Sequence, residues 1–291
     1  MTRRSALKNL ATGSALAAAS AALTGTRALA HDLPDEPKGR YKHSACRWCY
    51  KDLSLEELCD RGKDAGLHSV ELVSVEELPI LAARGLDCAM VWGVPGGITN
   101  GLNDRANHEA IRAFMAEKIP AMADAGQRNM IVFSGNRRGL SAAEGLEICA
   151  EGLALIEPIA RQHGVTLCME LLNSKVNHID YQCDTTPWGV QLCEKVGSEH
   201  FKLLYDIYHM QIMEGDLIRT IRDHGQWIAH YHTGGNPGRH ELDGAFQEIH
   251  YPAVMRAIAE SGYTGYVGQE FVPTEADPIA PLARAIKLCT V

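Results

Sequence analysis

A single (β/α)8 TIM barrel, preceded by a cleavable export signal, is the fold class that the sequence predicts. Three observations carry it. Eight short apolar runs alternate with helical patterns along most of the 291 residues, and strands that alternate with helices pair in parallel around one core. The composition, 46% hydrophobic and 22% charged, holds enough apolar material for one large core. No GxGxxG follows the first run, which removes the main signal for an open, doubly wound sheet.

In chain order, residues 1–30 read as the signal. Arg3, Arg4 and Lys8 precede an Ala-rich stretch from Leu10 to Leu23, and Ala28-Leu29-Ala30 offers a small-residue cleavage site. The paired arginines predict recognition by the twin-arginine export machinery, with the Sec route as the alternative, and a periplasmic or otherwise exported product. Thr12, Gly13, Ser14 and Ser20 interrupt the apolar run, so no stable membrane span is expected there. Residues 31–40 are rich in Pro and charge and predict a flexible lead-in. The barrel is assigned to residues 41–291 as one domain.

Within it the candidate strands are Lys42–Trp48, His68–Val73, Leu86–Trp92, Asn129–Phe133, Val165–Leu172, Phe201–Asp206, Trp227–His232 and Tyr266–Phe271. The expected helices are Leu55–Ala65, Val75–Arg84, Asp104–Asp124, Ser141–His163, Thr186–Val196, Leu217–His224, Pro252–Glu260 and Pro278–Leu288. Ser54 with Glu57 predicts a capping box, and Gly66 predicts the stop of the first helix.

Loss of residues 1–30 would remove four basic side chains and no acid, taking the net charge from −8 to −12. Such a surface repels phosphate backbones, so nucleic acid is not expected as a partner. The nine cysteines mostly sit in apolar runs such as Val165–Met169, where a thiol behaves as a small hydrophobe. Cys46-Arg47-Trp48-Cys49 stands apart because its CxxC spacing permits a redox pair or half a metal site, though no second CxxC completes a zinc site.

Chemistry gathers at the ends of the last four strands. Glu170, Asp206, His232 and Glu270 each close, or nearly close, an apolar run. In a parallel barrel these ends ring one mouth, where the βα-loops begin. Three converging carboxylates repel one another unless a cation lies between them. An oxygen-rich set with one nitrogen suits a divalent Mn2+, Mg2+ or Co2+ ion. His230, two residues before His232, shares its side of the strand and reads as a hydrogen-bonded core residue.

Glu170-Leu171-Leu172-Asn173, Tyr205-Asp206-Ile207-Tyr208-His209, His230-Tyr231-His232, Pro237-Gly238-Arg239-His240-Glu241 and Gly268-Gln269-Glu270-Phe271 resemble the hydroxypyruvate isomerase family of the xylose-isomerase-like barrels. The resemblance runs from about Lys42 to Leu288. It implies that Glu170, Asp206, His232 and Glu270 bind the metal and that Glu170 and Glu270 flank the reacting carbons. It also implies that His209 binds substrate. Arg239 is the candidate for a bidentate grip on a substrate carboxylate. The expected reaction is hydroxypyruvate to tartronate semialdehyde, through an enediolate of a small hydroxy-carbonyl substrate. Histidine at position 232 is more like the ketose epimerases, whereas Val176 stands where those epimerases carry a second glutamate. A ketose epimerase or sugar isomerase, and a non-catalytic sugar- or metal-binding barrel, are the competing expectations. A homo-oligomer is compatible with all three.

Overall fold

The computed structural model describes residues 41–291, so the expected export signal and lead-in lie outside the described residues. Among the described residues, seven parallel strands form a curled sheet: β1 (Lys42–Cys46), β2 (Ser69–Glu71), β3 (Asn129–Val132), β4 (Thr166–Leu171), β5 (Phe201–Asp206), β6 (Ile228–Thr233) and β7 (Tyr266–Gln269). They are ordered β2-β1-β7-β6-β5-β4-β3.

The third expected strand is corrected. Leu86–Trp92 occupies the gap between β2 and β3, but it makes only isolated parallel bridges, Ser69 to Asp87, Val73 to Val91 and Val91 to Met130. Side chains explain the interruption. The amide of Cys88 donates to Oε1 of Gln127 (2.9 Å), the amide of Ala89 donates to Oγ of Ser69 (2.8 Å), and Nδ2 of Asn129 donates to the Ala89 carbonyl (3.0 Å). These groups replace ladder partners and satisfy the buried backbone without a regular strand. The barrel still closes through Trp92 N to Val73 O (2.9 Å) and Ile131 N to Val91 O (3.1 Å).

Nine α-helices surround the sheet among the described residues: α1 (Leu55–Asp64), α2 (Leu78–Ala82), α3 (Arg105–Asp124), α4 (Ala142–Gln162), α5 (Thr186–Val196), α6 (Ile207–Met213), α7 (Leu217–His224), α8 (Tyr251–Glu260) and α9 (Ile279–Cys289). None is long and apolar enough to cross a membrane. Sequence-coded caps fix several ends: Ser54 accepts from the Glu57 amide, Asp104 from the Ala106 amide, and Ser141 forms a full capping box with Glu144. The box expected at Ser54 is only half made, because the Glu57 carboxylate turns to Arg61 (3.3 Å). Helix α6 has no counterpart in the expected set, and the expected first strand stops at Cys46, where Arg47–Tyr50 turns as a 3-10 helix. All nine cysteines are buried and free, as the apolar runs predicted for those outside the CxxC segment.

The parallel register sets the site. Ser44 pairs with Ser69 and with Gly268, Cys46 with Glu71, Glu170 with Leu204, Asp206 with His232, and His232 with Gly268. Alternation along each strand sends these residues to one face of the sheet, with Glu270 two residues beyond Gly268.

Candidate metal centre and substrate cavity

Asp206 ends β5 and starts α6 in one residue. Its Oδ1 accepts from the His209 amide at 3.0 Å, the bond an N-cap makes to the third helical residue. The three-residue spacing of Asp206 and His209 is therefore a cap, and it delivers both side chains to the same place. His209 is fully buried; its Nδ1 faces the Asn173 amide (3.2 Å) and Asn173 Nδ2 (2.6 Å). The Asn173 amide group is held in that sense because its Oδ1 accepts from the backbone amides of Val176 and Asn177.

Ligand atoms of Glu170, Asp206, His232 and Glu270 all lie within 4.8 Å of one another, and all four residues are buried. Nδ1 of His232 is 2.6 Å from Oε2 of Glu270 and 3.4 Å from Oε1 of Glu170. Despite that closeness it makes no hydrogen bond among the described residues, which leaves a buried nitrogen aimed at three carboxylates. Such a donor set fits a hard divalent cation.

The guanidinium of Arg239 neutralises part of this charge. Nη2 donates to Asp206 Oδ2 (2.6 Å) and Glu270 Oε2 (2.5 Å), Nε donates to the Glu270 carbonyl (3.0 Å), and Nη1 lies 2.7 Å from His209 Nε2. The rings of Trp48 and Tyr208 flank it at 5.4 and 5.2 Å. The side chain is reached from a left-handed backbone, with φ of 60° at Arg239, a conformation uncommon outside glycine. These bonds commit Nε and Nη2 to the protein and leave Nη1 for a substrate carboxylate.

Burial pushes the pKa of Glu170 up and that of Asp206 up to about 7. At Glu270 burial acts in the same direction but is outweighed by Arg239 and His232, which hold the carboxyl well below its usual range. Burial, reinforced by Arg239, lowers His209 well below the ordinary imidazole value, so it is neutral.

Two residues join the site that the sequence reading did not single out. Glu71, at the end of β2, places Oε1 2.7 Å from Nε2 of His232 and 2.8 Å from Nε2 of His230. His230 is the buried, hydrogen-bonded residue expected. Trp48 donates from Nε1 to Glu270 Oε1 (2.7 Å) out of the turn formed by the CxxC segment. Cys46 Sγ lies 3.8 Å from Glu71 and 3.7 Å from His232, without a disulfide. The signal for Glu71 was the one used elsewhere, an acid closing an apolar run.

Above the carboxylates opens a cavity of about 430 Å³, lined by Trp48, Leu72, Trp92, Ile98, Glu170, Leu172, His178, Arg239 and Glu270. Its walls are mainly apolar and its floor is charged. The family model described as xylose isomerase-like TIM barrel matches residues 59–289, most of the chain and every residue of the carboxylate cluster. The chain belongs to this family. Among its curated relatives, a 2-oxo-tetronate isomerase of Cupriavidus necator is 32% identical over 123 residues, 42% of this chain and 46% of that protein. The hydroxypyruvate isomerase of Escherichia coli is 37% identical over 106 residues, 35% of this chain and 40% of that protein. Both matches thus span less than half the relative's length. Among solved structures, a family 2 AP endonuclease from Brucella melitensis superposes with a TM-score of 0.76 at 23% identity, covering 84% of this chain and 97% of that one, a likeness of fold.

Proposed function

We propose that this xylose isomerase-like barrel is a divalent-metal-dependent isomerase that converts hydroxypyruvate to tartronate semialdehyde (2-hydroxy-3-oxopropanoate). One observation carries the reading: Glu170 and Glu270 belong both to the four-residue ligand cluster and to the cavity lining. The names of the two relatives, both isomerases of small keto acids, support it. Glu170, Asp206, His232 and Glu270 would hold the ion, which when bound supplies Lewis-acid polarisation of the substrate's carbonyl and hydroxyl oxygens.

The chain's own groups move the protons. One glutamate takes a proton from C3, leaving an enediolate, and the same or the opposite glutamate returns one to C2. The hydroxyl proton passes from O3 to O2, so composition is unchanged. Nη1 of Arg239 would face the substrate oxygens with His209 behind it, and the apolar walls Leu72, Trp92, Ile98 and Leu172 keep water from the intermediate.

A second reading, epimerisation of a free ketose, is favoured by the size of the cavity, which a three-carbon acid fills only in part. Both are tested by incubating metal-loaded protein in D2O with hydroxypyruvate and, separately, with ketoses, following deuterium and product by NMR. Deuterated tartronate semialdehyde supports the first reading. Exchange with ketoses alone transfers the function to epimerisation, and no exchange with any substrate reduces the barrel to a binder.

A further inference from the structure

We propose that Glu71 is a positioning residue that fixes the His232 ring so that Nδ1, and not Nε2, is offered to the metal. The inference rests on the reading of Glu170, Asp206, His232 and Glu270 as a metal centre. Glu71 is fully buried, and its Oε1 is approached by Nε2 of His232 at 2.7 Å and by Nε2 of His230 at 2.8 Å. An ionised carboxylate only accepts hydrogen bonds, so both nitrogens carry their hydrogens. Nδ1 of His232 is then the nitrogen that faces Glu270 and Glu170. The opposite tautomer would set a lone pair against the Glu71 carboxylate and a hydrogen where the cation must sit.

The surroundings are shaped to this pairing. The two imidazoles stand 5.0 Å apart at 86°, so His230 braces the carboxylate from a second direction without competing for the same approach. A Cβ at Gly268 would lie 2.9 Å from Glu71 Oε1 and 2.8 Å from His232 Cδ2, so only glycine leaves the room in which they meet. Oε2 of Glu71 has no hydrogen-bond partner among the described residues. A buried carboxylate left half satisfied is costly as a purely structural element. Orienting carboxylates behind metal-bound histidines typically change metal affinity by about 10–100-fold.

The test reads tautomer and affinity rather than turnover. Histidine-labelled full-length protein loaded with Zn2+ is examined by 1H–15N correlation, and Mn2+ binding is measured by calorimetry. Wild type is expected to show His232 ligated through Nδ1 with hydrogen on Nε2, at one ion per chain. Glu71→Leu is expected to weaken Mn2+ binding about 10–100-fold and to lose that signature. Glu71→Gln, which keeps an accepting oxygen, should retain the signature and recover much of the affinity. Ligation through Nε2 in wild type overturns the proposal even if neither variant folds. So do unchanged affinity and tautomer in Glu71→Leu, or a second ion per chain held at Cys46 and Glu71. Absence of any bound metal in wild type would instead sink the metal centre itself.

Discussion

Asp206 carries three duties, as helix cap, as partner of Arg239 and as member of the four-residue cluster, and this sharing sets what single substitutions do. Glu170→Gln and Glu270→Gln are each expected to lower kcat by at least about 100-fold, the lower range of general acid–base catalysis. A variant that kept more than about a tenth of the wild-type rate, or ~1.4 kcal/mol of barrier, would lose its assigned role. Arg239→Lys should reduce kcat/KM on charged and neutral substrates alike by about 10–100-fold, because Nε and Nη2 of the guanidinium hold Asp206 and Glu270. A loss confined to acids would instead assign Nη1 of Arg239 to the substrate carboxylate. Away from the site, His43 is buried against Thr290 (3.1 Å), and burial, aided by His68, lowers its pKa from 6.5 to about 4. The unfolded chain therefore binds the extra proton first as pH falls. Stability attributable to His43 is complete above about pH 6.5 and is lost towards pH 4, by about 3 kcal/mol. Denaturation of wild type and His43→Asn at pH 8 and pH 4.5 checks this: the variant should lose less, and parallel losses would refute the assignment.

At the scale of elements, what was legible depended on whether a signal was local. Helices α5 and α7 match the expected bounds to the residue; α5 ends where Gly197 takes a left-handed backbone, and α7 is a strongly amphipathic run. Helix α6 was missed: Ile207–Met213 is short, apolar and opened by a strand-end acid whose capping role is visible only when His209 is seen folded back onto it. The strand ends were legible because an ionisable side chain after an apolar run is a local pattern, which pointed to Glu170, Asp206, His232 and Glu270. Glu71 shows the same pattern, but its meaning comes from His230 and His232, about 160 positions away, and nothing local announces that. Leu86–Trp92 reads as a strand by composition and fails to be regular because Gln127, Ser69 and Asn129 take its backbone groups. Gln127→Leu should leave the buried Cys88 amide without its acceptor and cost about 1–3 kcal/mol. Amide exchange across residues 86–92 should quicken in that variant, and protection equal to wild type would show that the segment does not depend on the contact.

For the molecule as a whole, the alternation of strands and helices pointed to a parallel sheet covered by helices, and the missing GxGxxG turned that reading from an open sheet to a barrel. The charged floor of that barrel has a consequence for stability. Buried carboxylates crowded within 4.8 Å oppose folding unless a positive charge joins them, and Arg239 supplies only part of it. A divalent ion that binds the folded barrel and not the unfolded chain stabilises it by mass action, by about 2.7 kcal/mol when present at 100 times its dissociation constant. For a domain of this size that corresponds to a rise in melting temperature of roughly 5–10 °C. Scanning calorimetry of chelator-treated protein with and without excess Mn2+ should show that rise. Asp206→Asn and His232→Ala should lose most of the increment, because each removes a ligand from a set of four. A melting temperature indifferent to both metal and chelator, with no ion retained after dialysis, would leave the cluster's charge to be balanced by the chain's own cationic groups and remove the metal from the proposed reaction.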